Sequence, residues 1–146
     1  MAFWLLKSEP ESWSWDQQKK KGAKGEPWSG VRNHQAKLHL MAMKKGDQAF
    51  FYHSGEERQV MGVVEVIGEF RPDPTDETGK FGLVIVKAVG ELDHPVTLAD
   101  AKLNPALKQM ILVTFTRLSV QPVREAEWRT ICEMGGGIKP LSRKKR

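Results

Sequence analysis

Bulky apolar residues first cluster at residues 2–6, a run that predicts a buried strand. Lys7-Ser8-Glu9-Pro10 ends it, because proline cannot donate to a ladder and keeps the preceding residue out of helical space. Ser14 with Gln17 three positions later makes a capping box, predicting a short helix over residues 15–21 that Gly22 stops. Lys19-Lys20-Lys21 is then its solvated end, favourable at a helix C-terminus. Residues 22–27 read as a loop. Asn33 caps a helix through residue 43, with Ala36, Leu40 and Met43 on one face and Lys44-Lys45-Gly46 as its terminus.

Alternation replaces the helical period at residues 48–53. There Ala49, Phe51 and His53 share one face, and Phe50, Tyr52 and Ser54 the other. After a turn at Ser54-Gly55-Glu56-Glu57, residues 60–70 form a long strand in which Gly62 and Gly68 predict bulges or tight curvature. Residues 71–79 read as a loop and 81–89 as a strand. Thr97 with Asp100 starts a short helix, and Asn104-Pro105 another. Residues 111–120 offer strand residues broken near Thr116-Arg117, and 124–134 a last helix stopped by Gly135-Gly136-Gly137. The basic tail, residues 139–146, is expected to be mobile, with solubility or non-specific phosphate contact as its role. There is no internal repeat and no linker. Strands, short helices and no regular β-α alternation point to one α+β domain over residues 1–138, built on a curved or closed sheet.

Composition narrows the function classes. The 146 residues carry a net charge of +5, which favours polyanionic partners, although part of the excess sits in local lysine runs. A single cysteine, Cys132, allows neither an internal disulfide framework nor a cysteine zinc site. No stretch has transmembrane length and the first residues lack a signal-peptide pattern, so an intracellular, cytoplasmic protein with no membrane contact is expected.

Catalytic constellations are weak. His53 and Ser54 are strand neighbours that point to opposite faces, and no nucleophile elbow accompanies them. His34, His39, His53 and His94 lack metal-ligand spacing, and no phosphate-cradling loop of the Walker or dinucleotide type is present. Recognition has more support. Of five tryptophans, Trp4 and Trp128 sit in core elements, Trp13 and Trp15 suit core or pocket wall, and Trp28 stands in a loop beside glycine, where indoles stack on planar ligands. Asn33 and Ser54 could read polar base edges, though Asn33 also serves as a helix cap. Lys7, Arg32 and Arg117 could hold phosphates. Arg32 suits equally an ion pair, for instance with Glu9.

Four motifs then carry a resemblance: Trp4-Leu5-Leu6-Lys7-Ser8-Glu9-Pro10, Trp28-Ser29-Gly30-Val31-Arg32-Asn33, Phe50-Phe51-Tyr52-His53-Ser54 and Arg117-Leu118-Ser119-Val120-Gln121-Pro122. In this order, and spread over nearly the whole chain, they resemble the EVE-domain family. That resemblance implies a PUA-like mixed β-barrel (a pseudobarrel) of about five to six strands flanked by short helices, related to YTH domains. It also implies binding of a modified base in DNA or RNA, flipped into a pocket at an unstacking cost of a few kcal/mol. By motif, the pocket residues would be Lys7, Ser8, Trp28, Val31, Asn33, Tyr52, His53 and Ser54, with Arg32 and Arg117 supplying phosphate or structural charge. Two positions depart from the family pattern: His34 replaces a common Tyr, and Lys80-Phe81 an Arg-Trp pair that would add a second aromatic wall. The expectation is a non-enzymatic, monomeric reader of a modified base that needs no cofactor. An enzyme acting on modified nucleic acid or nucleotide, using His53 beside Tyr52, and a protein-interaction module are the alternatives.

Overall fold

The computed structural model describes residues 1–115 and 117–141. Seven strands form one mixed sheet: β1 (Phe3–Ser8), β2 (Glu26–Pro27), β3 (Gln48–His53), β4 (Gln59–Pro72), β5 (Gly82–Thr97), β6 (Val120–Val123) and β7 (Ile138–Pro140). Their order is β2-β5-β4-β3-β1-β6, with β7 also on β5. Among the described residues only β1 and β3 run parallel, and the other pairs are antiparallel. The sheet is bent but open, since β2 and β6 at its ends do not pair with each other. The helices are α1 (Trp15–Lys20), α2 (His34–Ala42), α3 (Leu98–Leu103), α4 (Ile111–Thr114) and α5 (Glu125–Met134).

Both faces of the sheet are covered, which explains the alternation without polar positions in β1 and β3. Trp4, Leu6, Ala49, Phe51 and Val64 pack with Trp15, Trp28 and the buried residues of α2. On the other face Leu5, Phe50, Tyr52 and Val63 pack with α3, α4 and α5. There Trp128 is stacked between Phe50, at 3.8 Å, and Phe3, at 4.4 Å. Pairing between β4 and β5 shifts register four times, three of them at Gly62 or Gly68, so the irregularity expected at these glycines is present. Gly62 also has a packing role: a Cβ there would clash with the edge of the Trp15 indole.

Several boundaries move. β1 continues through Lys7 and Ser8, which pair with Tyr52 and His53, so the turn starts at Glu9 and not at Lys7. Residues 22–27, expected as a loop, hold a 3-10 turn and then β2, which pairs with Ile85 and Val86. The strand expected over residues 111–120 is instead helical at Ile111–Thr114; Thr116 lies outside the described residues, and β6 begins only at Val120. The short helix wins because one helical turn buries Leu112 beside Leu107 and Met110 while Phe115 N–H donates to the Ile111 carbonyl at 2.7 Å. β-Branched propensity is a weak prior beside such packing. Of the basic tail, Lys139 and Pro140 lie in β7, and residues 142–146 are outside the described residues.

Candidate functional site

Parallel pairing brings two distant motifs level. Lys7 stands opposite Tyr52 and Ser8 opposite His53, and the Lys7 N–H donates to the Ser119 carbonyl at 2.9 Å. Because side chains alternate along strands, Lys7 and Tyr52 leave one face and Ser8 and His53 the other. Two concavities follow. One, of about 430 Å³, is lined by Ser8, Ser12, Trp13, Trp28, Gly30, Val31 and Arg32; the other, of about 540 Å³, by Tyr52, Ser54, Arg58, Lys102 and Arg117. Lys7, Glu9 and Ser119 line both and form the ridge between them.

The aromatic walls of the first concavity are held from behind. Ser8 Oγ donates to the Trp13 carbonyl at 2.6 Å, and Trp13 Nε1 donates to Gln18 Oε1 at 2.8 Å. Gln18, fully buried in α1, donates in turn to the Val86 carbonyl. Trp15 anchors the start of α1: its backbone N–H donates to His53 Nε2 at 2.9 Å, and its Nε1 to Glu91. With Nε2 accepting, His53 carries its proton on Nδ1, which lies 2.7 Å from Glu57 Oε1. Trp28 packs edge-on against Phe51 at 5.5 Å and is only 7% exposed. No acceptor for its indole N–H is found among the described residues.

The segment after Trp28 is fixed by a carboxylate. Asp73, whose side chain is fully buried, accepts from the Gly30 N–H, from Arg32 Nη1, and from both the N–H and the hydroxyl of Thr75. Burial alone would raise its pKa, but these donors outweigh burial and hold the carboxyl at about 2. Arg32 also donates to Thr75 Oγ1 and lies 5.8 Å from the Phe81 ring, which His34 approaches at 5.0 Å. Gly30, at φ +86°, makes the turn that lets its N–H reach Asp73.

Around the ridge, burial pushes the Lys7 ammonium below the usual lysine range, and its Nζ sits 5.7 Å from the Tyr52 ring centre. Burial also pushes the Tyr52 hydroxyl up to about 12, against the opposing charge of Arg58, so it remains a proton donor at neutral pH.

The structure thus divides the predicted residues. Lys7, Ser8, Trp28, Val31 and Arg32 converge on the first concavity, and Lys7, Tyr52, Ser54 and Arg117 on the second. His53 and Asn33 line neither. His53 is spent on Trp15 and Glu57, and Asn33 Oδ1 accepts the Ala36 N–H at 2.8 Å as the cap of α2. Arg32 is an ion-pair partner, but of Asp73 and not of Glu9. Sequence reasoning missed Asp73, Arg58, Lys102 and Ser119. The Asp73-Pro74-Thr75 spacing, typical of a side-chain-closed turn, was the available signal for the first.

Comparison with known proteins agrees with this architecture. Thymocyte nuclear protein 1 from Homo sapiens is 33% identical over 159 residues, spanning 87% of this chain and 71% of the relative. A solved structure from Rhodopseudomonas palustris is 57% identical with a TM-score of 0.88, covering 93% of this chain and 94% of its own. Human THYN1 protein in complex with 5-methylcytosine-containing DNA is 32% identical with a TM-score of 0.86, covering 92% of this chain and 98% of its own. A YTH domain from Zygosaccharomyces rouxii, solved with N6-methyladenosine RNA, is 19% identical with a TM-score of 0.56 over 92% of this chain and 86% of its own, a likeness of fold alone that is PUA-like. With the EVE domain profile matching residues 2–134, the chain belongs to the EVE-domain family.

Proposed function

We propose that this chain is a non-enzymatic reader of modified nucleobases in DNA or RNA, taking the base into the concavity between Trp13 and Trp28. The observation that carries this reading is the pairing of two indoles with polar groups in one half-open cavity. Indole faces are matched to flat heterocycles, where base stacking is worth ~1–3 kcal/mol, and Ser8, Ser12 and the indole N–H of Trp28 supply hydrogen-bonding groups for a base edge. Val31 offers an apolar contact for a methyl group. The reading is supported by human THYN1 protein, whose structure holds 5-methylcytosine-containing DNA. A pocket this size admits a base only after it has left its stack, so single-stranded or locally opened nucleic acid is the substrate form.

The test is calorimetric titration with short oligonucleotides, DNA and RNA, that carry cytosine, 5-methylcytosine, adenine or N6-methyladenine at one position. At least tenfold preference for one modified base is expected. Equal affinity for modified and plain oligonucleotides would overturn the reading, and product formation seen by mass spectrometry would overturn its non-enzymatic part.

A further inference from the structure

We infer that the second concavity, across the ridge from the aromatic one, is a phosphodiester-binding site that grips the strand beside the flipped base. This rests on the reader function proposed above and adds to it a separate site with its own residues.

Three cations from three separate elements meet there. Arg58 comes from the β3–β4 turn, Lys102 from α3 and Arg117 from the segment before β6. Among the described residues none of the three is ion-paired with a carboxylate, whereas Lys19, Lys21, Arg32, Arg129 and Lys139 all are. Other described cations, among them Arg71, Lys87 and Arg124, are likewise without a carboxylate partner; this cavity is set apart by gathering three such groups from separate elements around one concavity. Glu9 on the ridge is the only acidic residue lining it. Hydroxyl donors complete the set, since Tyr52 stays protonated and Ser54 stands beside it.

Arg58 gives a second, independent sign. It is the one described non-glycine residue with positive φ, at +47°, and its carbonyl is tied to the Leu98 N–H at 2.8 Å. Such a conformation is disfavoured for arginine and persists where surrounding structure imposes it, a pattern concentrated at ligand clamps. Guanidinium and ammonium groups together with hydroxyl donors match the oxygens of a phosphodiester, and arginine can bind two of them at once. The shared ridge sets the spacing: a base in the aromatic concavity and a phosphate in the cationic one would straddle Lys7 and Ser119.

The experiment compares wild type with the double variant Arg58→Asn, Lys102→Gln; asparagine accepts positive φ, so the turn is kept. Two probes are used, a free modified nucleoside and a single-stranded trinucleotide carrying that base in its centre, at several salt concentrations. The variant is expected to bind the nucleoside as wild type does, to lose about tenfold or more in trinucleotide affinity, and to lose about 1–2 from the slope of log affinity against log salt. An unchanged slope and unchanged trinucleotide affinity would overturn the inference while leaving base discrimination intact. If the variant loses trinucleotide affinity but wild type never distinguishes modified from plain bases, the phosphate site stands and the reader function fails. Tighter binding of a polyglutamate peptide than of the trinucleotide would assign the cations to a protein partner and overturn the inference.

Discussion

Asp73 Oδ2 accepts the Gly30 backbone N–H at 2.9 Å, so one carboxylate in the loop after β4 holds the turn that follows Trp28. The same oxygen takes Arg32 Nη1 at 3.1 Å. Replacing the charge should loosen the wall of the aromatic concavity and the α2 entry together. Asp73→Asn is expected to cost about 2 kcal/mol at neutral pH, the scale of a lost charge-assisted buried hydrogen bond. The sign with pH is fixed. A carboxyl held at about 2 stabilises the fold fully above its unfolded value near 4, and that stabilisation is lost as pH falls from about 4 to about 2. Urea unfolding at several pH values should therefore show wild type and variant converging in acid; a gap constant with pH would refute the electrostatic account.

His53 holds the start of α1 by accepting the Trp15 backbone N–H. His53→Ala removes the acceptor of a buried backbone N–H and should destabilise the protein by about 1–3 kcal/mol. Nitrogen NMR of the wild-type ring should find the neutral form protonated at Nδ1. An Nε2-protonated ring would contradict the contact with Trp15.

Trp28 is both wall and core. At 7% exposure and edge-on to Phe51, its truncation to alanine should cost about 3 kcal/mol or more. Loss of binding in that variant would then mix unfolding with recognition. Trp13→Leu separates them, because Trp13 is only partly buried. Base discrimination should fall in Trp13→Leu with the melting temperature lowered by only a few degrees; retained discrimination would remove Trp13 from the wall.

Asn33 offers a contrast. Asn33→Ala should lose about 1 kcal/mol through the lost cap, and Asn33→Asp almost none, with base discrimination unchanged in both. A change in discrimination with Asn33→Asp would restore Asn33 to base contact.

Gly62 is where the sheet admits Trp15. Gly62→Ala should cost about 1–3 kcal/mol by overpacking, measured as a shifted denaturation midpoint. An unaltered midpoint would mean that the indole moves freely.

Most strands were legible because alternation in residues 48–53 and 60–70 is enforced by burial on two faces. The Ser14 and Asn33 caps were legible because each needs only local geometry. The Ile111–Thr114 helix was not, since its apolar run suits strand and helix equally and only the pocket it fills decides. Most of the site residues named from the motifs line one of the two concavities. The motifs could not tell which side of the sheet each residue serves, and strand parity separates Lys7 and Tyr52 from Ser8 and His53. The Asp73-Pro74-Thr75 turn was legible but the reach of Asp73 was not, because its partners Gly30 and Arg32 lie more than 40 residues away.

The N-terminal strand β1 lies between β3 and β6, and β6 is nearly the last strand to be made. During synthesis β1 can therefore pair on one side early, while its other edge waits for residues 120–123. The Lys7–Ser119 bond that forms the ridge comes with that final closure. A nascent or clipped chain lacking this segment leaves β1 with one open edge and the ridge without Ser119, so the two concavities take their final outline only when residues 119–123 have joined the sheet.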